Sequence, residues 1–259
     1  MVVDYDHSAN SHSLTGPAIA FPAILRSLPV APRSLVDIGC GTGSWIKAAL
    51  DNGLLDVFGV DGVAVPPDQL AVPQSMIMIH DFTEPLTLGR RYDVALCLEV
   101  AEHLDEACAP ELVSSLTRTS DIVVFSAACP NQPGQHHVNC RWPEYWQRLF
   151  NEREYTCDDA IRWQLWNVHE IEPWYRQNMF VAVRSPSSAG KEPRLLPVLH
   201  PDMAVAGALA DSSRRMWMTA AAEGAMPVGW YFKSLASGLA AKLSRFARRL
   251  TTGLTRGAR

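Results

Sequence analysis

The feature that most limits the fold is the octapeptide Val36-Asp37-Ile38-Gly39-Cys40-Gly41-Thr42-Gly43. A compact β-prone run, Ser34 to Ile38, ends in three alternating glycines, and a helical pattern begins at once. Trp45, Ala48 and Ala49 share one face of a helix over 44–52, and Gly53 supplies its stop. A strand, a turn without Cβ atoms and a helix make a unit whose backbone can approach a ligand closely.

The pattern recurs along the chain. Strands are predicted over 34–38, 56–60, 75–79, 92–98 and 121–127, with a sixth inside 155–168 and a last over 178–183. Helices are predicted over 17–28, 44–52 and 109–119, and a short one includes 146–150. The strands are near-continuous apolar runs, which suits a parallel sheet covered on both faces. The expected fold is therefore α/β: a Rossmann-like, doubly wound, seven-stranded and mostly parallel sheet, followed by a C-terminal helical tail. Residues 1–30 read as a lead-in helix and 31–184 as the main domain. Residues 185–215, with Pro186, Pro193, Pro197 and Pro201, read as a linker. Residues 216–259 read as a basic amphipathic tail, with Phe232, Leu235, Leu239, Leu243, Phe246, Leu250 and Leu254 as its apolar stripe.

Composition excludes several classes. A chain of 259 residues with 47% hydrophobic and 19% charged residues buries a proper core and is not disordered throughout. No apolar run is long enough for a membrane span, and the N-terminus lacks the layout of a secretory signal. The six cysteines form no CxxC pair, so reduced cysteines in the cytoplasm are expected rather than a disulfide framework or zinc ribbon. From Gly224 onward there are seven Lys and Arg and no acid, against a net charge of −4 for the whole. The body is therefore acidic and offers no broad groove for nucleic acid. The basic tail suits peripheral contact with an anionic membrane or docking on a partner, with folding back onto its own domain as the competing expectation.

Acids collect at the carboxyl ends of the predicted strands, where open α/β sheets bind ligands. A dinucleotide site wants GxGxxG, but Ser44 stands where the last small residue belongs, and Asp37 repels a pyrophosphate. An acid before the turn favours S-adenosylmethionine, whose sulfonium and amino groups are both positive. Asp61, at the end of the next strand, can accept two ribose hydroxyls. Asp81 and Phe82, after the third, suit an adenine, which needs an acceptor for its amino group and a face to pack on.

With these residues in order, the chain resembles the class I S-adenosylmethionine-dependent methyltransferases over about residues 33–184. VDIGCGTG is similar to their first motif, GVDG to the ribose motif, HDFTEPL to the adenine motif and YDVALCLEVAEHL to the fourth. The resemblance implies cofactor contacts at Asp37, Gly39, Cys40, Gly41, Gly43, Asp61, Gly62, Asp81 and Phe82, with Leu98 and Glu99 near the methionine end. A second block resembles bacterial members with GHVN, WPxYW and WYRQN signatures, often encoded beside polysaccharide or glycolipid synthesis genes. Here the loop reads Gln135-His136-His137-Val138-Asn139, with His136 where glycine is usual.

Glu99-Val100-Ala101-Glu102-His103 brings two carboxylates and an imidazole to the end of the fourth strand, on one face if that turn is helical. Two uses follow. Glu99, Glu102, His103 and His137 could ligate Mg²⁺ or Mn²⁺, in a run that resembles that of some small-RNA 3′-terminal 2′-O-methyltransferases and certain quinone and sugar O-methyltransferases. A metal-dependent O-methyltransferase acting on RNA 3′ ends or a small aromatic is therefore the alternative enzyme. Otherwise His137 or His103, with Glu102, takes the proton of an acceptor hydroxyl. Trp142, Tyr145, Trp174 and Tyr175 are expected to pack on a saccharide acceptor, and Arg141 and Arg176 to meet an anionic group on it. The expected activity is O-methylation of a sugar, glycolipid or polysaccharide precursor. A cofactor-binding scaffold that recruits partners through its tail is the non-enzymatic alternative.

Overall fold

The computed structural model describes residues 5–7, 13–222, 224–232, 235 and 242. The elements of its sheet are β1 (Ser34–Ile38), β2 (Asp56–Asp61), β3 (Ile77–Ile79), β4 (Val94–Leu98), β5 (Ile122–Ser126), β6 (Tyr155–Asp158) and β7 (Phe180–Arg184). The helices are α1 (Thr15–Ser27), α2 (Ser44–Asp51), α3 (Ala109–Thr119), α4 (Pro143–Asn151), α5 (Ala160–Leu165), α6 (Pro173–Asn178) and α7 (Pro201–Ala222).

The seven strands form one sheet in the order β3-β2-β1-β4-β5-β7-β6. Neighbours are parallel from β3 through β5, and β7 pairs antiparallel with both β5 and β6. The order reverses between β1 and β4. A crevice opens at their carboxyl ends, the place where doubly wound sheets bind ligands.

Alternation along each strand explains the apolar runs. Val123, Phe125, Ala95, Cys97 and Val36 face one core with Leu112, Leu116, Trp146 and Phe150 from α3 and α4. Ile122, Val124, Leu96 and Leu35 face a second core with Phe21, Ile24, Trp45, Ile46 and Ile161 from α1, α2 and α5. Both faces of the sheet are covered, so neither parity of the strand sequence is polar.

Two boundaries differ from the sequence reading. The lead-in is part of the main unit, because Ala20, Phe21 and Ile24 of α1 are buried in the second core. The proline-rich stretch is docked rather than extended. Glu192 Oε1 accepts from Gln147, Asn151 and the Cys157 amide, and the Leu195 amide donates to Gln147 Oε1. Leu195 and His200 are buried, and α7 begins at Pro201, inside the expected linker.

The chain divides into a unit of residues 1–207 and a second of residues 208–259. In the second unit the Tyr231 hydroxyl donates to the Ala221 carbonyl, and Met216, Met218, Phe232 and Leu235 are exposed. Beyond Phe232 and Leu235, the expected apolar stripe of the tail lies outside the described residues. Among the described residues no helix is long and apolar enough to cross a membrane. All six cysteines are free.

Candidate active site

A cavity of about 340 Å³ lies at the switch point, over the ends of β1, β2 and β4. Its floor is the glycine turn. Gly39 has φ +83°, and a Cβ there would fall 2.1 Å from a methyl of Val100, so only glycine fits between β1 and the start of the β4 loop. The turn is tied to β2: the Gly39 amide donates to the Val60 carbonyl at 2.7 Å, and the Gly41 amide to Asp61 Oδ2 at 2.7 Å. Asp61 Oδ1 accepts from the Val63 amide at 2.9 Å. Asp61 therefore shapes the turn as well as facing the cavity.

Of the residues expected to bind cofactor, Gly39, Cys40, Gly41, Asp61, Gly62, Asp81, Phe82, Leu98 and Glu99 line this one space. Asp37 and Gly43 do not. Asp37 is buried beneath the turn, with Oδ2 unpartnered among the described residues. Burial, and then the Asp61 charge, push it up to about 8. It is a neutral carboxyl at pH 7, one layer below the position expected for it. Gly43 packs on Val72, where it caps α2 in the left-handed conformation.

The other end of the cavity is made by His103, Gln135, His137, Glu172, Trp174 and Tyr175, with Tyr5 and Ser13 from the N-terminal segment. His7, packed on Tyr5, instead reaches Asp61, its Nε2 3.4 Å from Oδ1. The loop after β5 reaches it through two backbone bonds: the Val138 and Asn139 amides donate to the Glu102 carbonyl at 2.9 and 3.0 Å. His136 adopts φ +50°, the conformation glycine would supply at that position. His137 is thereby set against His103, with ring centroids 5.1 Å apart. Burial drives His103 down to about 4, helped by the neighbouring His137, and burial lowers His137 as well. Both imidazoles are neutral at pH 7.

The Glu99–His103 run is not one helical face. Glu99 has φ +57°, and only Ala101–His103 form a single 3₁₀ turn. Glu102 is fully buried, and neither of its oxygens has a hydrogen-bond partner among the described residues. Burial and the Glu99 charge raise it well above the usual carboxylate range. Among the described residues, Glu102, His103 and His137 bring ligand atoms within 4.8 Å of one another. Glu99, expected with them, is not one of the three; its carboxylate lies against that of Glu102, and its oxygens accept from Gln132 and Asn178.

The expected acceptor residues divide. Trp174 and Tyr175 line the cavity; Trp142, Tyr145 and Arg176 do not. Tyr145 packs on Trp146 beneath the cation of Arg141, and Arg141 pairs with Glu106. Arg176 is buried and spends its donors on the Ile171 and Trp166 carbonyls, His200 and Asp202. It anchors the docked arm rather than an anionic acceptor. Sequence reasoning missed Tyr5, His7, Ser13, Gln132, Gln135 and Glu172. Tyr5, His7 and Ser13 come from a segment far from the motifs, whereas Gln132, Gln135 and Glu172 lie beside or within the second motif block but carry no chemical signature of their own.

The family described as a methyltransferase domain matches residues 16–183. The ribosomal RNA large subunit methyltransferase E of Caulobacter sp. (strain K31) is 28% identical over 105 residues, 40% of this chain. That match spans 35% of the curated relative's length, about a third. Among solved structures, the sugar N-methyltransferase KedS8 from Streptoalloteichus sp. ATCC 53650 aligns with a TM-score of 0.52 at 16% identity, over 69% of this chain and 91% of that one. Streptomyces venezuelae DesVI aligns with a TM-score of 0.53 at 13% identity, over 70% of this chain and all of that one, 100%. The glycine turn, the Asp61 carboxylate and the seven-stranded order thus sit within a matched domain, and the chain belongs to the methyltransferase-domain family.

Proposed function

We propose that the acceptor atom is a hydroxyl oxygen on a small polyhydroxylated molecule, a sugar or glycolipid precursor in the cytoplasm, and that His137 takes its proton as the methyl group moves. The observation that carries this reading is the pair of neutral imidazoles at the end of the cavity away from the nucleoside residues. When bound, S-adenosylmethionine supplies an electrophilic methyl group. A hydroxyl is a weak nucleophile until its proton begins to leave, so a base within reach is the group the chain must add. The Gln132 carbonyl can only accept, and it lies 3.0 Å from His137 Nδ1, so the proton of that ring sits on Nδ1 and Nε2 keeps its lone pair. Alignment of hydroxyl and methyl in the cavity supplies the larger part of the acceleration.

The cofactor itself fits the residues present: a carboxylate at the end of β2, a buried aromatic at Phe82 and a turn that admits close backbone approach. The sugar class is supported by the mixture at the acceptor end, where the aromatics Trp174 and Tyr175 line the cavity together with the polar side chains of Ser13 and Glu172. The fold accommodates a sugar acceptor in KedS8.

The test uses S-adenosylmethionine carrying a labelled methyl group. Purified protein is incubated with host extract divided into glycolipid, polysaccharide, RNA, protein and small-molecule fractions, each with Mg²⁺ or with EDTA. Label in a glycan or glycolipid fraction that survives EDTA is the expected result; label confined to RNA or protein overturns the acceptor class. A second reading rests on the Glu102, His103 and His137 group, because one carboxylate and two imidazoles suit a divalent transition metal. Label lost with EDTA and restored by Mn²⁺ would move those residues to that role.

A further inference from the structure

The loop after β5 and helix α6 also carry two buried amides that no role assigned above uses. Gln132 and Asn178 are 8% and 6% exposed, and both turn toward Glu99. Gln132 Nε2 donates to Glu99 Oε2 at 2.6 Å, and Asn178 Nδ2 donates to Oε1 at 3.1 Å. Neither amide is free to flip. The Cys129 amide and Asn178 Nδ2 both donate to Gln132 Oε1, at 3.3 and 2.9 Å, so its Nε2 must face Glu99. Gln177 Nε2 donates to Asn178 Oδ1 at 2.9 Å, which turns Asn178 Nδ2 the same way. Gln177 is fixed in its turn by the His200 amide, which donates to Gln177 Oε1 at 2.7 Å. Three segments distant in sequence therefore converge to set one carboxylate.

That carboxylate sits in the left-handed conformation at the end of β4 and lines the cavity. A carboxylate has about four acceptor positions; the two amides fill about two of them, and the side chains of Ser126 and Glu102 also lie within hydrogen-bond reach of it. Burial raises its carboxyl above the ordinary range, and the amide donors only partly oppose this. The strand order β3-β2-β1-β4 sets Asp81, Asp61, the glycine turn and Glu99 in a row, one strand spacing of about 4.8 Å apart. A ligand with its adenine at Asp81 and Phe82 and its ribose at Asp61 reaches β4 with its amino-acid end.

We propose that Gln132 and Asn178 are positioning residues that hold Glu99 as the receptor for the α-ammonium group of the cofactor. The inference rests on S-adenosylmethionine as cofactor and is independent of the acceptor.

The test is calorimetric titration of the full-length chain with two ligands. S-adenosylhomocysteine carries the amino-acid group; 5′-methylthioadenosine keeps the nucleoside and the thioether but lacks it. In Gln132→Ala, Asn178→Ala and Glu99→Gln, affinity for S-adenosylhomocysteine is expected to fall about tenfold or more, while that for methylthioadenosine changes less than about threefold. Equal losses for both ligands would mean that the amides only support the loop, and would overturn the proposal. Unchanged affinity for S-adenosylhomocysteine in Glu99→Gln would overturn it as well. If Asn178→Ala fails to fold and binds neither ligand, Gln132→Ala and Glu99→Gln decide.

Discussion

The two ends of the cavity are built from different kinds of chain. The nucleoside end uses residues 39–82, and three consecutive strands deliver them in sequence order. Its partners are mostly backbone: Asp61 takes the amides of Gly41 and Val63, and Asp81 takes the amide of Thr83. The end proposed for the acceptor draws on Tyr5 and Ser13 and on residues 99–104, 132–137 and 172–175. Its partners are mostly side chains from distant segments, such as the His103–His137 and His103–Tyr5 ring pairs. Backbone anchoring makes the first end a property of the fold. Side-chain anchoring leaves the second free to change acceptor without disturbing the sheet.

If that contrast is right, the largest effect comes from the nucleoside end. Asp61→Ala removes one bond to the glycine turn, from the Gly41 amide, and one to the Val63 amide, together with the carboxylate proposed to meet the ribose. Affinity for S-adenosylhomocysteine is expected to fall about 100-fold or more, from charge-assisted bonds of roughly 1.5–3 kcal/mol each. Asp61→Asn, which keeps one acceptor, is expected to lose about tenfold by the same accounting. Titration calorimetry reads both, and binding by Asp61→Ala within threefold of wild type would show that the cofactor is anchored elsewhere.

The next effect belongs to the acceptor end alone. His137→Ala is expected to lower turnover about 100-fold, the usual range for a positioned base, and to leave S-adenosylhomocysteine affinity within about twofold. Added imidazole is expected to restore part of the rate. Equal losses of turnover and cofactor affinity would break the separation of the two ends.

The same contrast decides what was legible in the sequence. The strands, the glycine turn and the gathering of Asp61, Asp81 and Phe82 at one cavity were readable because each signal lies within one βα unit, where period and turn chemistry act over a few residues. The pairing of His103 with His137 was readable as chemistry but not as geometry. It depends on the amides of Val138 and Asn139 reaching back to the Glu102 carbonyl. Asp37 was misplaced because sequence gives the end of a strand but not which face a side chain leaves by. Arg176 was misassigned because its partners, His200 and Asp202, lie in a stretch whose prolines read as a linker. Nothing local in Tyr5, Gln132 or Glu172 marks them, since their roles exist only once the chain has folded.

Asp37 sharpens the comparison from beneath. Its carboxyl is raised to about 8 in the folded chain, against 3.8 as its ordinary value. The folded state thus keeps a proton that the unfolded state releases. The contribution of Asp37 to stability is full below about pH 4 and is lost as pH rises toward 8, by up to about 1.4 kcal/mol per pH unit. Asp37→Asn removes this dependence. Melting curves of the two proteins are expected to diverge from pH 5 to pH 8, with the variant higher at pH 8. A difference that stays flat over that range would mean Asp37 is ionised in the folded chain and meets a cation there.

The smallest effect separates two tryptophans that sequence treated alike. Trp174 lines the cavity, whereas Trp142 precedes α4 outside it. A ring face beneath an acceptor is worth on the order of 1 kcal/mol, so Trp174→Ala is expected to raise the acceptor KM about fivefold with kcat nearly unchanged. Trp142→Ala is expected to leave both constants alone. Both are measured on the extract fraction that takes the label, at saturating S-adenosylmethionine, so that only the acceptor end is read. Equal effects would mean that the acceptor extends over the rim to α4, and that the wall of this end lies further out than residues 172–175.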